Sequence, residues 1–442
     1  MRLSLHCHVS CSLVNLLHWK SILICLLSLV ATGHSFASTF SVTSYGAACN
    51  SNANTGGGTD DTAAFTSAAA AAHAAYVTNG SPQIVVLPAG SPCRINSAVG
   101  GTAGIGSGVV FEGPGTIVVP TQSGATLSFF DADNSGVENL TLKILSGPGG
   151  NNAALSAISW QSSSGDASAH TNFFARSNHI IDGSWGILVA YSAGTGSLSN
   201  VDITGNTVAS SIVYTNADGI HVAGSVSGIT INGNRVSNRG DAAIALSSEL
   251  GSPSYVLSGA VVSNNVCIND LVGLDNSGAT NATWSNNYVS ATLSTSSSNP
   301  AARSILYGGV VPVNVKFIGN YLANYQNIDY AAKVDNTGSN VAANVEWIGN
   351  TFNAPNALYI AGNSIAVHDN IFPNGSLLSV AYDTITNCCY TTQNVMIGFN
   401  YWLGSGTISS QGNPAYYSNN SLAHQQANGI VTVSGQSNFR QP

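Results

Sequence analysis

Charge is what this 442-residue chain has least of: Asp, Glu, Lys and Arg together make up 7% of it, and only 11 residues are Lys or Arg. So few cations cannot build the clustered basic patches that bind phosphates, which excludes a nucleic-acid partner. Helical periodicity is missing between residues 206 and 400, so amphipathic helices are excluded there. Long apolar runs are scarce too. The one candidate, Ser21 to Ala31, falls well short of the ~20 residues that a membrane span needs. It follows Arg2 and Lys20 and precedes Ser35-Phe36-Ala37, a small-residue cleavage pattern, so residues 1–37 read as a secretory signal peptide. The chain is therefore expected to be secreted, extracellular or periplasmic, with no membrane attachment after cleavage. Cleavage leaves 9 basic against 19 acidic residues, a net charge of −10, and such a surface repels polyanions. The abundant Ser, Thr, Asn and Gly suit sugar hydroxyls as partners.

Cysteine is sparse as well. Cys7, Cys11 and Cys25 leave with the signal, and Cys49, Cys93, Cys267, Cys388 and Cys389 remain. Cys49 and Cys93 flank an N-terminal segment and are the candidate disulfide in an oxidising compartment. Cys388 and Cys389 are adjacent and too few for a metal site, while Cys267 reads as a buried apolar filler. No zinc, other metal or cofactor is expected.

What the chain does have is a repeated phrase, a β-run that closes on Asn and continues with one or two apolar residues. It occurs at Asn206 (ITGNTV), Asn234 (INGNRV), Asn265 (SNNVC), Asn287 (SNNYV), Asn320 (IGNYL), Asn350 (IGNTF), Asn370 (HDNIF) and Asn400 (GFNYW), with a weaker copy at Asn178. Successive spacings are 28, 28, 31, 22, 33, 30, 20 and 30, the signature of stacked structural repeats. Segments such as Gly228-Ile-Thr-Ile-Asn and Val345-Glu-Trp-Ile-Gly alternate polar and apolar residues, as strands with one buried face do. Asn recurring once per coil can bond to the Asn one rung away, ~4.8 Å distant, in an amide ladder. The predicted fold is all-β, a parallel β-helix. Thr59-Asp60-Asp61-Thr62 marks a helix start, and the Ala-rich run 63–76 is then a helix that plugs the open N-terminal end. The organisation is read as signal peptide 1–37, N-terminal cap and first strands 38–94, β-helix 95–403 and C-terminal cap 404–442.

At this point the chain resembles a family. Tyr45-Gly-Ala, Asp60-Asp61-Thr62, the Ala-rich helix and Val85-Val-Leu-Pro-Ala-Gly look like the opening shared by pectate-lyase-superfamily and polygalacturonase-type proteins. The resemblance implies a single-stranded right-handed parallel β-helix.

Two coils carry the chemistry, Asn216-Ala-Asp-Gly-Ile-His-Val and Arg239-Gly-Asp-Ala-Ala-Ile-Ala-Leu. Aligning Gly219-Ile220 with Ala243-Ile244 stacks Asp218 over Ala242 and sets Asp241 one residue earlier on the next rung. The two backbones are then ~6 Å apart, a scale at which paired carboxylates share acid and base roles across a glycosidic bond. These coils resemble the Asn-Thr-Asp and Gly-Asp-Asp motifs of family 28 glycoside hydrolases. The resemblance implies Asp241 as general acid and Asp218 as the residue that helps activate water. It departs at Ala242, which replaces a second Asp, and in lacking Gly-His-Gly and Arg-Ile-Lys. The missing basic pair argues against pectin.

Around this pair, His221 lies outward beside Asp218, and Asp275 occupies its column two coils on. Trp185 lies one rung above Asp218 and is expected to stack a sugar ring. Glu249 ends the Asp241 strand and is a candidate third carboxylate; Arg239 either neutralises a substrate carboxylate or pairs with Asp241. The expected function is hydrolysis of a polysaccharide substrate. The alternatives are a polysaccharide lyase or epimerase on the same fold, and a non-catalytic glycan-binding surface solenoid.

Overall fold

The computed structural model describes residues 37–435 except 147–154, 193, 212, 249–254, 292, 294–299, 306–309, 326–329, 336–341, 381–391, 411–416 and 419–420. Residues 1–36, which fall in the expected signal peptide, and Glu249, Cys388 and Cys389 lie outside the described residues. Three parallel sheets wrap a shared interior, and successive coils add one strand to each. The first sheet starts at Thr39–Ser41, the second at Cys93–Arg94 and the third at Leu127–Phe130. The architecture is the expected parallel β-solenoid.

Val, Ile, Leu and aromatic side chains fill the interior in columns, because in-register parallel pairing sets like residues above one another. Ile187, Ile220, Ile244 and Leu274 form one such column in the third sheet. Phe317 and Trp347 stack in another, with centroids 4.0 Å apart. The helix Thr62–Asn79 lies at the N-terminal end and buries Ala64, Phe65, Ala68, Ala69 and Ala72, with Phe65 stacked on Phe111. Its start differs in detail from expectation. Asp61 is the N-cap residue, yet its carboxylate bonds the amides of Ala48, Cys49 and Arg94. Asp60 instead takes the Thr62 amide at 3.0 Å and hydroxyl at 2.6 Å. Cys49 and Cys93 are disulfide-bonded, and Cys267 is free and buried.

At the other end, Gly406–Ser410 and Val431–Gly435 continue the third sheet in parallel register. These two strands lie within the expected C-terminal cap region 404–442. Ile430 and Val433 remain exposed there. Among the described residues no helix is long and apolar enough to cross a membrane.

The Asn ladder occupies the bend between the first and second sheets. From Asn178 to Asn400, each Nδ2 donates to Oδ1 of the next Asn at 2.9–3.0 Å. The backbone amide of each donates to the same oxygen at 2.8–3.0 Å. The second Nδ2 hydrogen reaches a main-chain carbonyl, as in Asn206 to Ala175. The preceding residue on each of these rungs is left-handed, with φ of 53–66° at Ser177, Gly205, Gly233, Asn264, Asn286, Gly319, Gly349, Asp369 and Phe399. That conformation is cheapest for Gly and tolerable for Asn and Asp, which explains the recurring Gly-Asn, Asn-Asn and Asp-Asn pairs.

Candidate functional site

The third sheet presents a different picture at residues 218–303. Ile220 pairs with Ile244 and Ala245 with Asp275, so the register inferred from the sequence is the register observed. Asp218 stands where the second-sheet side of the coil turns into the strand Ile220–Gly224, and Asp241 immediately precedes Ala242–Ser247. Together with His221, Ala245, Ser247, Asp275, Ser277 and Arg303 they line a cleft of about 90 Å³. Ala245 lies between His221 and Asp275 in one outward column. Its small side chain leaves the gap that the charged groups border.

Asp218 is nearly buried and doubly held. Its Oδ1 accepts the Ala242 amide at 2.8 Å, and its Oδ2 lies 2.6 Å from His221 Nδ1. Asp241 is partly buried, and its carboxyl is pushed up to about 7, first by burial and then by the negative charges of Asp218 and Asp275. Arg303 and His221 oppose that shift. Asp275 is engaged on both oxygens by Arg303, with Nε to Oδ1 at 2.8 Å and Nη2 to Oδ2 at 2.6 Å, and it also accepts the Ser277 hydroxyl at 2.7 Å. The pairing raises the Arg303 guanidinium above its usual range even against burial. A neutral carboxylic acid can therefore sit beside a carboxylate near neutral pH, the condition for paired acid and base chemistry.

Two candidates from the sequence take other roles. Trp185 faces the Asp218 rung but is only 5% exposed. Its indole stacks on the His221 imidazole at 4.9 Å and packs with Leu188, Ala190, Ala217, Ala223 and Tyr214. It buttresses His221 and offers no open face to a sugar. Arg239 is buried, with Nη2 on the carbonyls of Ser184 and, at 2.9 Å, Asp218. It reaches neither Asp241 nor the cleft surface, because the turn directs its side chain into the stack of bends. Its backbone amide donates to Asp270, whose buried carboxyl burial pushes up to about 8. Burial lowers the Arg239 guanidinium below its usual range, against the opposing pull of the Asp270 and Asp218 charges.

Arg303, Ser247 and Ser277 join the site without having been singled out in the sequence. Arg303 was within reach: it is the residue that pairs with Asp275 on the following rung, one step further down the column that relates His221 to Asp275.

No protein-family model and no curated protein matches the chain. Solved structures do. The A-module of Azotobacter vinelandii mannuronan C-5 epimerase AlgE6 is similar at 19% identity over 91% of this chain and 97% of that one, with a TM-score of 0.52. The catalytic unit of the GH87 α-1,3-glucanase from Streptomyces thermodiastaticus is 16% identical over 92% of this chain and 72% of that one, with a TM-score of 0.54. An endo-xylogalacturonan hydrolase from Aspergillus tubingensis matches at 13% identity over 90% of this chain and 96% of that one, with a TM-score of 0.43. At these identities the epimerase and glucanase likenesses establish a shared fold.

Proposed function

We propose that the chain is a polysaccharide-cleaving glycoside hydrolase whose acid is Asp241. The observation that carries this reading is the Asp241 carboxyl, raised to about 7 in a cleft that also holds Asp218. In its neutral form Asp241 gives its proton to the leaving glycosidic oxygen. Asp218, oriented by the Ala242 amide and His221, either takes the proton of the attacking water or bonds to the anomeric carbon, and product stereochemistry distinguishes the two. Arg303 is already neutralised by Asp275, so the cleft favours a neutral glycan. Export of the chain, proposed from its N-terminal segment, agrees with the Cys49–Cys93 disulfide.

One observation favours a second reading. A guanidinium lines the cleft with Asp241, as a lyase or epimerase acting on a uronate would need. Purified chain incubated with neutral glucans, xylans and galactans, together with α-1,3-glucan and mannuronan, separates the cases. New reducing ends, lost in Asp241→Asn, support hydrolysis. Products absorbing in the ultraviolet, or exchange of the uronate C5 proton with deuterated solvent, support the second reading, and glycan binding without turnover sinks both.

A further inference from the structure

A second group of ionisable side chains lies away from the cleft, where the third sheet turns into the first. Asp131 and Asp133 stand between Leu127–Phe130 and Ser135–Glu138, Asp166 follows Ser156–Gln161, and His170 is the second residue of Ala169–Arg176. All three carboxylates face one imidazole. His170 Nε2 is 3.2 Å from Asp166 Oδ2 and 4.0 Å from Asp131 Oδ1, while Nδ1 is 3.5 Å from Asp133 Oδ2. Ligand atoms of Asp131, Asp166 and His170 all lie within 4.8 Å of one another. His170 is 7% exposed, and its buried Nδ1 makes no hydrogen bond.

Other groups fix this arrangement. The Tyr191 hydroxyl donates to Asp166 Oδ2 at 2.6 Å, the Ser163 amide to Asp131 Oδ1 at 2.9 Å, and the Thr171 amide to Asp133 Oδ1 at 2.7 Å. The rings of Trp160 and Tyr191 border the imidazole at 5.6 and 6.5 Å. Three carboxylates facing one histidine leave negative charge that a single imidazolium cannot offset, with Asp166 the least exposed of them at 11% and Asp131 and Asp133 open at the rim. A divalent cation closes that balance.

We propose that His170 Nε2, Asp166 and Asp131 form a site for a divalent cation of the zinc or manganese type, with the Asp133 carboxylate standing behind the ring, 3.5 Å from Nδ1. The mixed nitrogen and oxygen set decides the class, because calcium and magnesium take oxygen ligands whereas imidazole suits first-row transition metals. A carboxylate behind a ligating histidine fixes its tautomer and is a recurrent feature of such sites. The 3.2 Å between Nε2 and Asp166 Oδ2 is close to the ~3.4 Å edge of a tetrahedron with bonds of ~2.1 Å. No ligand spacing in the sequence marks it, since Asp131 and Asp133 come from one turn and Asp166 and His170 from the next coil. The ion would tie the 131–133 turn to the 163–168 loop, independently of the cleft.

The test uses the full chain after chelator treatment and dialysis, titrated calorimetrically with zinc, manganese and calcium chlorides. One saturable site per chain for zinc or manganese, accompanied by a rise of several degrees in Tm, is the expected result. His170→Gln and Asp131→Asn should each weaken that binding at least tenfold, with the metal-free Tm of Asp131→Asn close to wild type. Zinc should also move the His170 ring nitrogen resonances. The proposal is overturned by no saturable binding of either ion, by binding of calcium alone, or by undiminished affinity in Asp131→Asn with unmoved His170 resonances. The last two readouts hold even if His170→Gln does not fold.

Discussion

The two bends of each coil that matter most obey opposite rules. At the bend between the first and second sheets, nine rungs repeat one residue, and each Asn side chain has both its donors and its acceptor occupied. At the entry to the third sheet no two rungs agree: Trp185, Asp218 and Ala242 share one column, and His221, Ala245, Asp275 and Arg303 another. The first bend is buried polarity fully satisfied, which stabilises. The second collects groups whose charges disturb one another, which costs stability and creates reactivity. Repetition marks what holds the solenoid, and departure from it marks where chemistry is placed.

The sharpest way to break this comparison is to remove a group from the cleft. Asp241→Asn should lower turnover by roughly 10²–10⁴-fold, the range of a lost general acid, with glycan binding retained; turnover that survives would show that the varied rungs are not the reactive ones. The same variant tests the electrostatics by its stability. A carboxyl raised to about 7 favours its neutral form in the fold, so its contribution is complete below the unfolded value near 4 and is lost as pH rises through 7. Wild type should therefore melt like the variant at pH 4 and several degrees below it at pH 8. Wild-type activity should fall on the alkaline side over the same range.

The opposite disturbance belongs to the ladder. Asn320→Ala removes bonds to Asn350 and to the Trp284 carbonyl, and strands the two Asn287 donors. A loss of roughly 3 kcal/mol in denaturant unfolding is expected, since each buried unpaired group costs about 1–3 kcal/mol. Kinetic constants of the folded fraction should stay near wild type; a selective loss of kcat would erase the distinction between the bends.

Arg239→Lys gives an intermediate case, because Arg239 binds the Asp218 carbonyl from inside the stack. Turnover should drop about tenfold, the equivalent of ~1.4 kcal/mol, with KM little changed. The smallest effect is expected at Phe399, the one bulky residue among the left-handed positions that precede ladder asparagines, and 61% exposed. Phe399→Asn should stabilise by about 1 kcal/mol.

How far the sequence revealed these features follows from the same contrast. The ladder spacing and the alternation of Gly228–Asn232 disclosed the coils, and matching Ile220 with Ile244 placed Asp218, Asp241, His221 and Asp275 together before any coordinates. Periodicity fails at the bends, where a residue outside the strand can turn either way. Trp185 was therefore assigned to an open face that it does not have, and Arg239 to a cleft that it does not enter. Arg303 was missed because its column was followed only as far as Asp275. The His170 cluster was hidden for a stronger reason, as turns of unequal length bring its members together and no fixed spacing records that.

The ladder also has a polarity. Every ladder Asn points its backbone N–H and one Nδ2 hydrogen toward the following rung, so these two donors stay open until the next coil is laid down, and the side-chain series closes where Asn400 Nδ2 reaches Gln425 Oε1 at 3.3 Å. A chain emerging N-terminus first would thus carry, at its growing end, one backbone and one side-chain donor awaiting an acceptor. The solenoid is in this sense a directional polymer of hydrogen bonds, with Leu140 and Gln425 as its terminators. Shortening it at any intermediate rung would leave a live end, whereas a cut beyond Gln425 would not.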